Sequence, residues 1–550
     1  MTIKNNIGTL ITIAAISLSA CTEDQWTEPG QTTEKKIFYF DTEINPQTRT
    51  TFNKEFNGLE WTASDMLGFY SNAGDMNKPS SLVNENGCFR VELSNKATEV
   101  YAYYPYYGSL RYNDILNAET KECAPNEIRL PISAIQRQKE AGKLNGENLP
   151  MLAKATLSTQ GTATLTFSPL ASIIAFNVFG ENGENVETIS FTNEAGVCGD
   201  YIYNTIKQKY ELLGARPTVN TASICLDTPY EIPSTKPEDK SGYIYLTIKT
   251  GTYSRQSSIK VTTDKAIYTF TLETLNMSNK YLIQPIALDL QKAKKEELTY
   301  IDNKFNEDFI FFLRRDFDLN KDGKLSSSEA NAIEGIEFLY HQNRSLKGIE
   351  SLRNLRWFIY TGSVLQLQEL DVSQNSNLIF LTAKNCQLEK LTLGNNPNLS
   401  FLHCDHNNLT TLDLSGCTNL HWLCAQYNKL ETINFGKLSE LQHIQLENNL
   451  LTSLSIENQP MLTFLNAYDN LLKSIMIQKC NNLKMINISD NQLVSLDVCE
   501  CSNKMDYVNC ARQYKNNNET VDSFRLIKNK NQTITQYYLP DIKDAQVVEK

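Results

Sequence analysis

The residues best suited to chemistry lie in one twelve-residue stretch, "DLNKDGKLSSSE" (318–329). Asp318, Asn320 and Asp322 would offer side-chain oxygens at positions 1, 3 and 5, Lys324 its carbonyl at 7, and Ser326 an oxygen at 9, often through water. Glu329 would close the set at position 12 with two oxygens, and Gly323 permits the sharp turn at 6. Hard oxygen donors at this spacing suit calcium, so one Ca2+ is expected. The ligand set holds three carboxylates, and the sequence shows no partner loop. Affinity is therefore expected on the order of 10⁻⁴–10⁻³ M, which suits a filled structural site rather than a switch.

The other chemically interesting residues are weaker. Four of the five histidines (His403, His406, His421 and His443) cluster near Asp405 and Cys424. A zinc site or a cysteine–histidine pair would need them to converge, but they fall in different columns of the pattern described next, so solvated surface is expected. There is no G-x-S-x-G, H-E-x-x-H or P-loop, and no carboxylate pair that sequence can place in a cleft. No enzyme is expected.

The elements that must position these residues are repeats. From Leu355 a pattern L-x-x-L-x-L-x-x-N-x-L recurs, with clear copies beginning at Leu378, Leu399, Leu420, Leu441, Leu462 and Leu483, a step of 21, and a degenerate one at Met505. This is a leucine-rich repeat array. Each copy should lay down one short strand, with positions 4 and 6 inward and positions 3, 5 and 7 on the concave side. Position 9 is Asn407, Asn428, Asn449, Asn470 and Asn491, with Cys386 in the first full copy, and it should satisfy backbone groups of the turn. Position 3 carries Trp357, Phe380, Phe401, Trp422, His443, Phe464, Met485 and Tyr507, an aromatic column; position 5 begins Ile359, Thr382, His403. Trp357, Phe380, Phe401, His403, Trp422, His443, Phe464 and Tyr507 are the candidate ligand-binding face, a platform for sugar rings or an extended peptide. The alternative is that the rings only pack neighbouring rungs.

Composition bounds the partners. Over 550 residues the net charge is −11 and the basic residues are dispersed, which argues against nucleic acid. Thirteen cysteines would suggest disulfides in an exported chain, but eight of them replace residues of the repeat, so a disulfide framework is not expected. The N-terminus has a basic residue, Lys4, an apolar run Ile7–Ala20, and "LSAC" ending at Cys21. It resembles a bacterial lipobox, which implies lipidation at Cys21 and a membrane anchor made of acyl chains. The following "TEDQ" resembles the surface-export signal of lipoproteins of Gram-negative anaerobes, which implies an outer-membrane, surface-exposed location.

Residues 30–290 read as short strands between turns, without long helical periodicity, and predict one or two β-sandwiches. "TRTTF" (48–52), "LEWTASDMLGFYSN" (59–72), "VYAYYPYY" (100–107), "LPMLAKATL" (149–157), "LTFSPLASIIAFNVFG" (165–180) and "LNMSNKYLIQPIALDL" (275–290) resemble the fimbrillin-like family. The resemblance implies two transthyretin-like sandwiches split near residue 160. It also implies, for some members, pilus assembly by strand exchange after cleavage at an arginine, for which Arg49 is suitably placed. The calcium loop with its flanks "FNEDFIFFLRRDF" (305–317) and "SSSEANAIEGI" (326–336) resembles an EF-hand, expected to exit as a helix and to cap the repeats and set their angle to the sandwiches.

The expected architecture is therefore multidomain: two β-sandwiches, then a leucine-rich repeat solenoid with an EF-hand-like helical cap at its start. The divisions are signal peptide 1–20, tether 21–35, sandwiches 36–160 and 161–290, linker 291–304, calcium cap 305–354, repeats 355–512 and C-terminal cap 513–550. The expected function is a non-catalytic surface lipoprotein, adhesin-like, binding a protein or glycan on the concave face. The alternative is a fimbrial tip or accessory subunit that joins other fimbrial subunits by donor-strand exchange.

Overall fold

The computed structural model describes residues 35–550 except 45–64, 85–86, 107–110, 115–118, 125, 181–182, 208, 214–217, 255–256, 279–282, 342–344, 363–366 and 515–518. Residues 1–34, where the signal peptide, Cys21 and the tether are expected, and Arg49 lie outside the described residues. The chain is rich in β-structure with few helices and divides into two compact units, the first ending at Lys294 and the second made chiefly of Lys295–Lys550, with Asp264–Ile267 also belonging to it.

In the first unit, strand Lys35–Ile44 lies inside a mixed sheet, antiparallel to Cys88–Ser94 and parallel to Thr162–Pro169. Its alternation puts Phe38 and Phe40 into the core, at 3% and 0% exposure. The chain leaves this sheet after Pro169, not near residue 160, because Thr162–Pro169 is held there by its pairing with Lys35–Ile44. The next strand, Ser172–Phe179, is buried at all but its last residue and joins Ile244–Ile248 and Ile283–Asp289. Residues 127–138 also depart from a simple split. Glu127–Arg129 pairs with Tyr201–Asn204, and Ile135–Gln138 with Thr221–Glu231. The amides of Gln136 and Gln138 then bind the backbone of Thr247 and Tyr245 (N–H donors at 2.8 Å each), tying two sheets that share no ladder.

The second unit carries the repeats. Ten strands form one parallel sheet in chain order: Gly335–His341, Trp357–Gly362, Phe380–Lys384, Phe401–His403, Trp422–Cys424, His443–Gln445, Phe464–Asn466, Met485–Asn487, Lys504–Asn509 and Thr533–Tyr538. The columns are in register, Phe401 beside Trp422 and His403 beside Cys424. The inward leucines are essentially fully buried and make one continuous core. The position-9 asparagines behave as a ladder. Asn449 Oδ1 accepts the Leu430 N–H at 3.0 Å, while its Nδ2 donates to the carbonyls of Ala425 and Leu446 at 3.1 and 3.0 Å. In the rung after Asn491 the role passes to Gln513, which accepts from Leu493 N–H at 2.9 Å and donates to Ile488 O at 2.8 Å.

Two stretches differ from expectation. The exit helix is only Ser327–Ala332; from Gly335 the chain is a strand. Sheet pairing with Trp357–Gly362 overrides the helical pattern, and a Cβ on Gly335 would sit 1.7 Å from the Trp357 ring. From residue 519 on, the chain continues the coil with strands Ser523–Lys528, Thr533–Tyr538 and Asp544–Glu549.

A buried amide that satisfies three backbone groups should be costly to remove. Asn449→Ala is expected to lower unfolding free energy by about 2–4 kcal/mol, against about 0.5 kcal/mol for Asn408→Ala beside the ladder. Urea titrations of both variants check this; equal effects would mean the ladder carries no special share of the stability.

Candidate functional site

The concave face is built by the strand period: residues at positions 3, 5 and 7 of each rung point to one side. Because rungs lie about 4.8 Å apart, flat rings in one column can stack. Phe380 and Phe401 are stacked with centroids 4.5 Å apart and planes within 8°. Trp422, His443 and Phe464 form a second stack, at 3.8 Å and 8°, then 4.2 Å and 3°. Within each stack the facing ring surfaces are covered and the edges look outward, whereas Trp357 and Phe380, and Phe401 and Trp422, sit on neighbouring rungs without stacking on each other. Phe380 is buried at 3% exposure, Met485 is open at 39%, and Trp357, Phe401, Trp422, His443, Phe464 and Tyr507 are half-buried. A platform of free ring faces, the basis for expecting sugar stacking, is not what the rungs produce.

The floor beside the rings changes along the array. Ile359, Thr382, His403 and Cys424 are buried, whereas Gln445, Asn466, Asn487 and Asn509 are partly open. His403, expected to be solvated, is only 3% exposed, because column 5 lies between the flanking columns. His406 is exposed and sits 2.9 Å from Asp405, and His421 Nδ1 lies 2.9 Å from Ser400 Oγ. The histidines therefore go to different environments. Cys424 Sγ lies 3.0 Å from Gln445 Oε1 and receives the Trp422 indole N–H at 3.3 Å. Burial pushes its thiol up to about 12, so it is a poor nucleophile at neutral pH. Among the described residues no cluster of three or more His, Cys, Asp or Glu could hold a metal. The twelve described cysteines are all free thiols.

Sequence reasoning missed a second ridge. Position 8 has a left-handed backbone in rung after rung: Asn385, His406, Tyr427, Asn448, Asp469, Asp490 and Arg512 all have φ between 53° and 56°. Asn, Asp and His tolerate this conformation, and their recurrence just before the ladder residue is the signal that was available. On this ridge His406 stacks on Tyr427 at 4.4 Å, and Tyr427 is 44% exposed. The concave face is thus a trough with a wall of ring edges, a floor of amides and a rim bearing exposed tyrosine.

The expected calcium ligands lie at the start of the second unit. Helix α1 (Glu307–Phe317), N-capped by Asn306, runs into the loop, and helix α2 (Ser327–Ala332) leaves it with a Ser326–Glu329 capping box. Asp318 accepts N–H bonds from Asp322 and Gly323 at 3.1 and 2.8 Å; Asn320 accepts from Asp322 at 3.2 Å, and Asp322 from Lys324 at 2.8 Å. Lys321 and Gly323 take left-handed φ values of 63° and 79°. The loop backbone is paired by the preceding segment: Ile301 N–H donates to Leu325 O at 3.0 Å, and Tyr300 bridges Ser326. Glu329 is 4% exposed; Oε1 accepts from Leu319 N–H at 2.7 Å and Oε2 from Ser326 N–H at 2.8 Å. Burial, with Asp318 nearby, raises its carboxyl to about 7.

No family model matches the chain, and no curated protein matches it. Among solved structures, a "putative cell adhesion protein" from Bacteroides ovatus ATCC 8483 is similar at 13% identity, over 48% of this chain and 96% of that one, with TM-score 0.31. A fimbrial protein from Bacteroides vulgatus ATCC 8482 is similar at 10% identity over 48% and 98%, TM-score 0.25. The LRIM1 leucine-rich repeat domain is similar at 16% identity over 40% and 70%, TM-score 0.31. Likenesses this distant say nothing about a ligand. Among the described residues no helix is long and apolar enough to cross a membrane.

The stacked histidine gives a pH signature. Burial, with His403 nearby, holds His443 down to about 4 from 6.5. The unfolded chain then binds the extra proton first, so stability contributed by neutral His443 is present above about pH 6.5 and is lost as pH falls towards 4. The expected loss is roughly 1–3 kcal/mol, absent in His443→Phe. Imidazole titration by NMR checks it; a His443 pKa near 6.5 would show that the ring is not held in the stack.

Proposed function

We propose that the chain is a surface-displayed, adhesin-like protein that binds an extended segment of a protein ligand in the concave trough of its repeats, with no catalysis of its own. The observation that carries this is the face-to-face stacking of Trp422, His443 and Phe464. Ring edges are the positive part of the aromatic quadrupole and suit peptide carbonyls and aliphatic side chains. A pyranose ring needs a free aromatic face, and the stack offers none along its length. The amide floor of Gln445, Asn466 and Asn487 matches backbone groups of an extended chain, and a tyrosine rim suits a protein interface. Surface anchoring rests on Cys21 and its lipobox-like context. The strand-exchange alternative would require release of Lys35–Ile44, which pairs on both sides and buries two phenylalanines.

Two exposed positions test the trough without disturbing the stack. Tyr427→Asn keeps a residue that accepts the left-handed backbone, and Met485→Lys places a charge among the ring edges. The double variant is expected to lose at least about tenfold in affinity for a host-surface protein partner, with unchanged melting. Binding confined to glycan arrays, or unaffected by the variant, would overturn the reading. SDS-resistant ladders with a chain start just after Arg49 would favour the fimbrial alternative.

The second part of the proposal is calcium. Asp318, Asn320, Asp322, the Lys324 carbonyl, Ser326 and Glu329 would hold it, and the ion's role there would be charge neutralisation. What supports this is the loop itself: side-chain oxygens of positions 1, 3 and 5 accept N–H groups of one backbone stretch and the Glu329 carboxyl is buried at position 12, although the three carboxylates are not drawn together into a metal-holding cluster. A millimolar calcium supplement after chelation is expected to raise the melting temperature of the chain by several degrees, and Glu329→Gln to abolish the rise. No shift in the parent would remove calcium from the reading.

A further inference from the structure

The two ends of the repeat core are finished differently. At the first end α1 lays Phe309, Ile310 and Leu313 into the core, and Phe309 and Phe312 meet Phe338 edge-on with centroids 6.1 and 5.6 Å away. At the other end, Thr533–Tyr538 pairs only with Lys504–Asn509, and Asp544–Glu549 only with Ser523–Lys528. Among the described residues no strand covers either outer edge. Ile534, Leu539, Ile542, Ala545 and Val547 pack on the core from this last rung yet remain half-exposed. Tyr537 and Tyr538 are 49% and 45% exposed. Open edges usually carry lysine, proline or a bulge that discourages pairing. "TITQYY" (533–538) has no charge and no proline, and is rich in the β-branched and aromatic residues that favour it.

We infer that this end docks onto the same end of a second copy of the chain, each edge strand pairing antiparallel with its counterpart about a two-fold axis. A lone extended peptide satisfies one edge and leaves the other edge and the apolar strip between them open. A two-fold-related rung presents two six-residue edges at the same separation, with the same apolar strip. Charge agrees. The chain carries −11 overall, yet self-pairing of Thr533–Tyr538 brings no charges together. Centred between Thr535 and Gln536, it sets Ile534 against Tyr537 and Thr533 against Tyr538, the β-branched–aromatic pairs that stabilise antiparallel sheets. On the second strand, a register centred on Val547 keeps Asp544 and Glu549 from facing each other.

Sedimentation equilibrium of the full chain carrying Cys21→Ala, so that no lipid contributes, tests this between about 1 and 100 μM. The expected result is a monomer–dimer equilibrium, with amide exchange in 533–538 and 544–549 slower at the higher concentration. Tyr537→Lys, which places a lysine in each of the two symmetric strands, should raise the dimer dissociation constant at least about tenfold with the melting temperature preserved. A parent that stays monomeric throughout, a dimer indifferent to Tyr537→Lys, or growth into masses above the dimer would each overturn the inference.

Discussion

A coil that turns every 21 residues has to bring backbone amides into a dry interior where no helix or sheet can pair them, and the position-9 amide side chain meets that demand. Asn407 shows the full arrangement: its Oδ1 takes the N–H groups of Cys386 and Leu388 at 3.0 Å each, and its Nδ2 serves the carbonyls of Ala383 and Cys404 at 2.7 and 3.0 Å. An unpaired buried amide costs about as much as a lost hydrogen bond, so a slipped rung would forfeit several at once. That penalty fixes the register of every rung on the next. Where one extra residue separates the last copies, a glutamine reaches the same groups, which shows that the demand is for the amide and not for asparagine itself.

Fixed register has consequences on the concave face. Where position 3 is aromatic in successive rungs, the spacing of the sheet lets rings stack, as Phe380 does on Phe401 and Trp422, His443 and Phe464 do in turn. The stack then determines the chemistry of the trough. It holds His443 neutral, presents ring edges, and places the amides of position 5 beside them. Across the floor, Cys424 shares its sulfur with Trp422 and Gln445, which leaves it no part in nucleophilic chemistry. Burial likewise raises the Glu447 carboxyl.

Much of this was legible in the sequence. The step of 21, the column identities and the ladder followed from spacing alone, because a repeat exposes its own periodicity. Three features did not follow. Ring orientation depends on the distance between rungs, which a residue list does not contain. The burial of His403 depends on its neighbours in two other columns. The extra rungs at Gly335–His341 and Thr533–Tyr538 lack the leucine pattern, and pairing with a formed edge recruits them where local propensity suggested a helix or a simple cap. The left-handed ridge was readable in principle from Asn, Asp and His at one position, but Tyr427 and Arg512 obscure it.

The loop at 318–329 gains meaning from what surrounds it. A lone loop with its backbone polar groups open would be held only by its ion. Here Ile301 and Thr299 take up the backbone of Leu325 and Ser327, and Asp302 receives both the Leu325 N–H and the Arg314 guanidinium. The loop therefore closes a ring of contacts between the segment before α1, α1 itself and α2. α2 in turn leads within two residues into the first strand of the repeat sheet. Glu329 sits inside this ring, its carboxyl oxygens accepting the Leu319 and Ser326 N–H groups while its burial favours the uncharged acid. A cation at that point would act on the same chain of contacts that holds α1 against the core, so its energetic effect would appear in the stability of the first rungs and not in the trough. The loop belongs to the scaffold, and the ligand-binding reading of the trough does not depend on whether the loop is filled.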